Sequence, residues 1–154
     1  MNVLIVPGLD LNSVVHAQTE FTNESFQGNY AFTFTTGANV SAAVGVLTAD
    51  GDGNITGSEI INVPAPVRKR RILSATIEAT YTVLPDGMGT AADSTTIDGV
   101  TSGGNFDFVI MQAEVQDSGV KVATEIIALE RTPVPLGFGI PGDLLTIHLK
   151  RLPD

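Results

Sequence analysis

Two tyrosines and a small set of carboxylates are the side chains of this sequence that could take part in acid–base chemistry. Tyr30 and Tyr81 are its only tyrosines, and each stands on the apolar side of an alternating stretch. A hydroxyl in an otherwise apolar wall could donate a hydrogen bond to a bound molecule. Packing in the core, with the hydroxyl satisfied by the protein itself, is the alternative. We predict Tyr30 and Tyr81 as catalytic residues that supply polar contacts to a ligand.

A carboxylate buried in an apolar strand would have a raised pKa, because burial disfavours its charged form. Such a group could serve as a general acid or base in an isomerisation. Glu125 is our candidate for this catalytic role, since it alternates in step with Ile127 and Leu129. A position on the water-facing side of the strand is the alternative for Glu125 and for the other carboxylates of this kind, which are Glu78, Asp107 and Glu114.

The spacing of Asp50, Asp52 and Asn54 is that of the first half of a calcium-binding loop. An EF-hand loop continues with glycine at its sixth position and glutamate at its twelfth, where this sequence has Ile55 and Ile61. A tight hairpin turn is the better interpretation, because Asp and Gly tolerate the backbone angles of such turns. Since the two histidines are far apart and cysteine is absent, we predict no metal site and no cofactor.

The only basic cluster is the run Arg-Lys-Arg-Arg at residues 68–71. It could receive a carboxylate or a phosphate at the mouth of a barrel, because guanidinium groups bind such anions through paired hydrogen bonds. A solvated loop is the alternative. We assign Arg70 to ligand binding.

The composition favours an apolar core, ligand or interface over a charged partner. Of the 154 residues, 43% are hydrophobic and only 16% are charged, and the formal net charge is −9. An acidic chain is unsuited to nucleic acid, which binds basic surfaces. No stretch approaches eighteen uninterrupted apolar residues, so we predict no membrane span. The lack of cysteine fits cytosol or periplasm, and we favour a cytoplasmic location slightly over export.

Alternation of apolar and polar residues predicts the elements that must hold these side chains. The longest example covers residues 72–84, where Leu73, Ala75 and Ile77 begin one apolar face. Because an antiparallel sheet of this length must protect its edges, we predict an all-β, antiparallel closed barrel of about eight strands with little helix. A sandwich is the alternative. The predicted strands cover residues 28–35, 42–49, 55–63, 72–84, 90–97, 105–115, 120–130 and 144–149.

Two apolar segments lie outside the predicted strands. We predict a barrel domain over residues 25–154 and an N-terminal arm over residues 1–24, which contains the apolar run VLIV and could alternatively be a degenerate signal peptide. The connection at 132–143, TPVPLGFGIPGD, is unusually apolar for a loop, so we expect it to cover a barrel end, a ligand mouth or a subunit face. Two such segments on one small barrel predict a homo-oligomer.

Three motifs at strand and turn positions are similar to those of a known group of proteins. Gly-x-Tyr-x-Phe stands at 28–32, Thr-Ala-Asp-Gly-x-Gly-x-Ile-x-Gly at 48–57, and Tyr-Thr-Val-x-x-Asp-Gly-x-Gly-Thr at 81–90. Over about residues 28–115 the chain resembles a loose bacterial family of small calycin-type barrels, close in shape to the allene oxide cyclase barrel. The resemblance implies a barrel whose better-known relatives are cyclases and isomerases of apolar substrates or carriers of lipid-like ligands. It implies no catalytic residue.

These observations lead to three hypotheses about function. The first is a barrel that encloses a small, mostly apolar molecule, and an enzyme of this kind would be a cofactor-independent isomerase or cyclase. The second is a carrier of hydrophobic ligands without turnover, and the third is a structural or interaction barrel with a filled core. The strand register decides among them, because it determines which side chains face inward. The residues that we assign to ligand binding are Phe32, Phe108, Met111, Phe138 and Arg70.

Overall fold

The computed structural model describes residues 20–36, 41–67, 69–131 and 144–153, and most of them are in β-strands. One 3₁₀ turn at Asn23–Ser25 is the helical element of these ranges. None of the helical structure described is long and apolar enough to cross a membrane. The strands are β1 (Gln27–Thr36), β2 (Ala42–Asp50), β3 (Asn54–Ala65), β4 (Lys69–Val83), β5 (Met88–Ile97), β6 (Val100–Ser102), β7 (Asn105–Val115), β8 (Lys121–Glu130) and β9 (Leu145–Arg151).

Antiparallel pairing closes eight of these strands into a barrel. The order is β4-β3-β2-β1-β9-β8-β7-β5, and β5 pairs with β4 to complete the ring. The prediction of an eight-stranded antiparallel closed barrel with little helix is confirmed, and the sandwich is ruled out. The sequence pattern does not predict β6, a three-residue strand that pairs only with the end of β5.

The two ends of the barrel are built differently. At one end, which we call the plugged end, tight turns join β2 to β3, β4 to β5 and β7 to β8. The first of these turns is held by Asp50, whose Oδ1 accepts hydrogen bonds from the backbone N–H of Asp52 (2.8 Å) and of Asn54 (2.9 Å). The opposite end, which we call the loop end, carries the strand ends that flank residues 37–40 and 132–143.

Residues 21–26 lie across the plugged end. The backbone N–H of Phe21 donates to the carbonyl of Pro85 (3.2 Å), and the Nζ of Lys121 stands 4.4 Å from the centre of the Phe21 ring. Phe26 turns inward and packs on three rings, with centroid distances of 5.1 Å to Tyr30, 4.9 Å to Tyr81 and 5.6 Å to Phe108. This segment therefore closes one end of the barrel with aromatic side chains. Residues 1–19, the rest of the predicted arm, lie outside the described ranges.

Large inward side chains are accommodated by glycines on the neighbouring strands. Phe32 on β1 pairs directly with Gly45 on β2, and Phe108 on β7 pairs with Gly89 on β5. A Cβ atom at Gly45 or at Gly89 would overlap the phenylalanine ring opposite it. Each ring therefore lies against the backbone of the adjacent strand, along the wall of the barrel.

Candidate functional site

The barrel contains a largely apolar cavity of about 110 Å³, which we call the inner cavity. Aromatic and aliphatic side chains from all eight strands of the barrel form most of its wall, among them Phe32, Phe108 and Ile126. Its polar wall atoms come from Glu59, Asp93 and Thr95. The inner cavity thus has the composition of a small-molecule site, which is an apolar wall with a few polar groups.

A second cavity of about 100 Å³, the outer cavity, adjoins the first toward the loop end. The two cavities share Phe34, Glu59, Asp93 and Leu145 among their lining residues. The outer cavity is more polar, because Glu130 and several serine and glycine residues complete its wall. The carboxyl groups therefore lie where the apolar interior meets the loop end.

Glu59 faces inward because of simple alternation along β3. Ile55 and Ile61 share its face and are buried like Glu59 itself, which is 7% exposed. Its register partners are Gly45 on β2 and Ala75 on β4, and both are too small to cover its carboxyl group. Among the described residues, none donates a hydrogen bond to this carboxyl group.

The pKa of Glu59 is raised to about 7. Burial is the larger cause, and the negative charge of Asp93 is the smaller one. A carboxyl group of this kind changes its protonation state near neutral pH, whereas an ordinary glutamate is fully ionised there. Glu59 can therefore both give and accept a proton inside an apolar cavity, which is the property needed in a general acid or base.

Asp93 and Glu130 are held in place by hydrogen bonds. Asp93 accepts from the backbone N–H of Gly104 (2.5 Å) and from the Thr95 hydroxyl (2.9 Å), and Glu130 accepts from the backbone N–H of Leu145 (3.2 Å). Burial is the main reason that both pKa values are raised, and the charge of Asp93 adds to the effect on Glu130. The three carboxyl groups thus form an acidic cluster, which we call the carboxyl cluster: Glu59, Asp93 and Glu130.

The carboxyl cluster does not have the geometry of a metal site. No group of three or more histidine, aspartate or glutamate side chains in the described ranges is placed to hold a metal ion. The chemistry open to the cluster is therefore proton transfer, hydrogen bonding and charge pairing with a molecule in the cavities.

Of the residues that the sequence assigns to ligand binding, Phe32 and Phe108 line the inner cavity. Met111 is 54% exposed on β7, and Arg70 is exposed at the start of β4, where its Nε donates to the Asn62 side chain (2.6 Å). Phe138 lies outside the described residues. The structure thus brings two of the five together in one cavity.

The three predicted catalytic residues lie away from the cavity walls. Tyr30 donates a hydrogen bond to the carbonyl of Ala123 (2.9 Å), and Tyr81 donates to the carbonyl of Phe26 (2.5 Å). Glu125 faces outward and pairs with His148, with 2.6 Å between Oε1 and Nε2. Their catalytic roles stay predictions, and the positions of the two tyrosines fit the alternative of packing with a satisfied hydroxyl.

The carboxyl cluster was not predicted from the sequence, and none of Glu59, Asp93 and Glu130 is among the predicted site residues. For Glu59 a signal was present, because Ile55, Gly57, Glu59 and Ile61 follow one another at every second position. A lone carboxylate in the apolar half of an alternating strand is the pattern that would have found it.

The hydrogen bond of Tyr81 to Phe26 predicts that Tyr81 anchors residues 21–26 at the plugged end. Tyr81→Phe is expected to lower the free energy of unfolding by about 1–3 kcal/mol, because the buried carbonyl of Phe26 loses its donor. Urea denaturation followed by circular dichroism measures this change, and Thr82→Ser, on the exposed face of the same strand, is the control. A Tyr81→Phe variant as stable as the parent would mean that Tyr81 does not anchor residues 21–26.

Comparison of the chain with protein-family models, with curated proteins and with solved structures gives no match. The resemblance to calycin-type and allene oxide cyclase barrels therefore stays a prediction.

Proposed function

We propose that this protein binds one small, mostly apolar molecule inside its barrel. The observation that carries the proposal is the inner cavity, which has an apolar wall and a volume of about 110 Å³. Apolar cavities of roughly 150 Å³ in protein cores take up molecules the size of benzene. We infer a ligand whose apolar part is a single small ring or a short aliphatic chain.

The cavity supports ligand binding over the hypothesis of a structural barrel with a filled core. Core side chains normally pack as densely as organic crystals, with few voids larger than a water molecule. Here small side chains, such as Ala79 and Ala91, face the space that large residues would fill. Because the buried ligand area is small, we expect dissociation constants between about 1 μM and 1 mM for simple probes.

The position of Glu59 supports a second candidate function, which is cofactor-independent isomerisation of the bound molecule. With a pKa of about 7, Glu59 could remove a proton from one carbon of the ligand and return it to another. The ligand and product would then have the same atoms, and no cofactor would be consumed. An isomerase would convert the bound molecule, whereas a carrier would release it unchanged. Recovery of the ligand unchanged after long incubation would therefore favour the carrier.

Methyl NMR with added toluene tests ligand binding directly. We expect saturable chemical-shift changes at the methyl groups of Ile126 and Ala128, which line the inner cavity. The methyl groups of Ile60 and Ala92, which are exposed, are the controls in the same spectra. Changes confined to exposed methyl groups, or none up to the solubility of toluene, would contradict the proposal.

Native mass spectrometry of the purified protein adds two results. Denaturing extraction then identifies any apolar compound that is carried through purification, which would name the ligand class directly. The intact mass gives the number of subunits, and a dimer or larger assembly is the result that the homo-oligomer proposal predicts.

A further inference from the structure

We propose that the natural ligand carries a protonated amine, which the carboxyl cluster holds at the junction of the two cavities. This inference rests on the proposed function, because it assumes that the apolar part of the ligand occupies the inner cavity. It assigns the cluster of Glu59, Asp93 and Glu130 as the binding site of a cationic group.

The three carboxyl groups come from separate strands and line the two adjoining cavities. Glu59 and Asp93 line both cavities, and Glu130 lines the outer one. If Gly104 carried a Cβ atom, that atom would lie 3.1 Å from Oδ1 of Asp93 and 3.2 Å from Oε1 of Glu130. These two carboxyl oxygens therefore approach the same point. The charge of Asp93 raises the pKa values of both glutamates, so Asp93 lies close enough to interact with each of them.

The cluster offers acceptors that the described residues leave unused. Asp93 already accepts hydrogen bonds at both oxygens, and Glu130 accepts one at Oε2. Glu59 is 7% exposed and accepts none from the described residues. The carboxyl group of Glu59 lines both cavities, and an ammonium group there, with three donors and a positive charge, would supply the partner that it lacks among the described residues.

The charges of the side chains that line the cavities also favour a ligand with a positive charge. Acidic side chains line them, while no lysine, arginine or histidine of the described ranges does so. Arg70, the residue predicted to receive an anion, is exposed and donates to Asn62 instead. A carboxylate on the ligand would add negative charge beside three acidic groups, whereas an ammonium group would compensate their charge.

A matched series of three six-carbon probes tests the inference: hexylamine, hexan-1-ol and hexanoic acid. Dissociation constants at pH 7.5 are measured from the methyl shifts of Ile126. We expect hexylamine to bind at least about tenfold more tightly than hexan-1-ol, since hydrogen bonds to charged groups are the stronger ones. Hexanoic acid, ionised at this pH, should bind least tightly.

Two variants locate the effect. Glu59→Gln should reduce the ratio of hexylamine to hexan-1-ol affinity at least about fivefold, because the neutral amide no longer compensates the ammonium charge. Glu78→Gln removes the same charge from the exposed face of β4 and should leave the ratio as in the parent.

The outcomes separate this inference from the proposal beneath it. Equal binding of hexylamine and hexan-1-ol, or tighter binding of hexanoic acid, overturns the amine while the apolar site stands. A preference for hexylamine that Glu78→Gln reduces as much as Glu59→Gln also overturns it, because the effect would come from net charge. If neither toluene nor any of the three probes binds, the proposed function itself fails and the inference falls with it.

Discussion

Ala91→Leu is expected to weaken toluene binding at least about tenfold, the largest effect on affinity that we predict. Ala91 lines the inner cavity, so the three added carbon atoms would occupy the space of the ligand. The leucine side chain also replaces the apolar contacts that the ligand would make, so the folded protein should tolerate it, at a cost of no more than about 1–3 kcal/mol. The methyl shifts of Ile126 report the affinity.

Ala92→Leu is the matched control for this experiment. It places the same side chain one residue further along β5, at an exposed position on the outer face. We expect toluene to bind this variant as it binds the parent. If Ala91→Leu binds toluene as well as Ala92→Leu does, the ligand site is not the inner cavity.

Glu59→Gln is expected to remove much of the dependence of stability on pH. In the unfolded chain Glu59 titrates near 4.5, and in the folded barrel near 7. Between these values the folded state keeps a proton that the unfolded state has released, so the free energy of unfolding falls as pH rises. At about 1.4 kcal/mol per pKa unit, the loss from pH 4.5 to pH 8 is on the order of 2–3 kcal/mol.

Urea denaturation at pH 5 and pH 8 measures this effect in the parent and in the variant. Glutamine has no charge to bury. The free energy of unfolding of Glu59→Gln, taken relative to that of the parent, should therefore be higher at pH 8 than at pH 5. Asp93 and Glu130 also have raised pKa values and should keep a smaller dependence of the same sign. Glu78→Gln is the control, and a pH dependence equal in both variants would contradict burial of an ionisable Glu59.

The barrel could be predicted from sequence because alternation is a local property. Along β4 the buried residues Leu73, Ala75, Tyr81 and Val83 occupy every second position or a multiple of it, and the turns after Asp50 and Asp86 mark the hairpins. Closure of the sheet into a barrel was predicted because the edge strands of a sheet need protection, and no particular residue indicates it. β6 escaped prediction because three residues are too few to show alternation.

The inward face of β8 could not be predicted, because both of its faces carry apolar side chains. Ile127 and Leu129 share the face of Glu125, whereas Ile126 and Ala128 share the face of Glu130. Alternation therefore indicates two faces without showing which one points into the barrel. In the structure the face of Glu130 is buried, and Glu125 is partly exposed.

The titration of Glu59 tests most directly the claim that an ionisable group lies in the wall of an apolar ligand cavity. Carboxyl carbon NMR of the protein labelled at glutamate follows this group from pH 4 to pH 9, with and without saturating toluene, and Glu59→Gln assigns the signal. We predict a midpoint near 7 without toluene and a higher one with it, because toluene would displace water from around the carboxyl group. A midpoint near 4.5 that toluene leaves unchanged would contradict the account, since Glu59 would then be hydrated and remote from any apolar ligand.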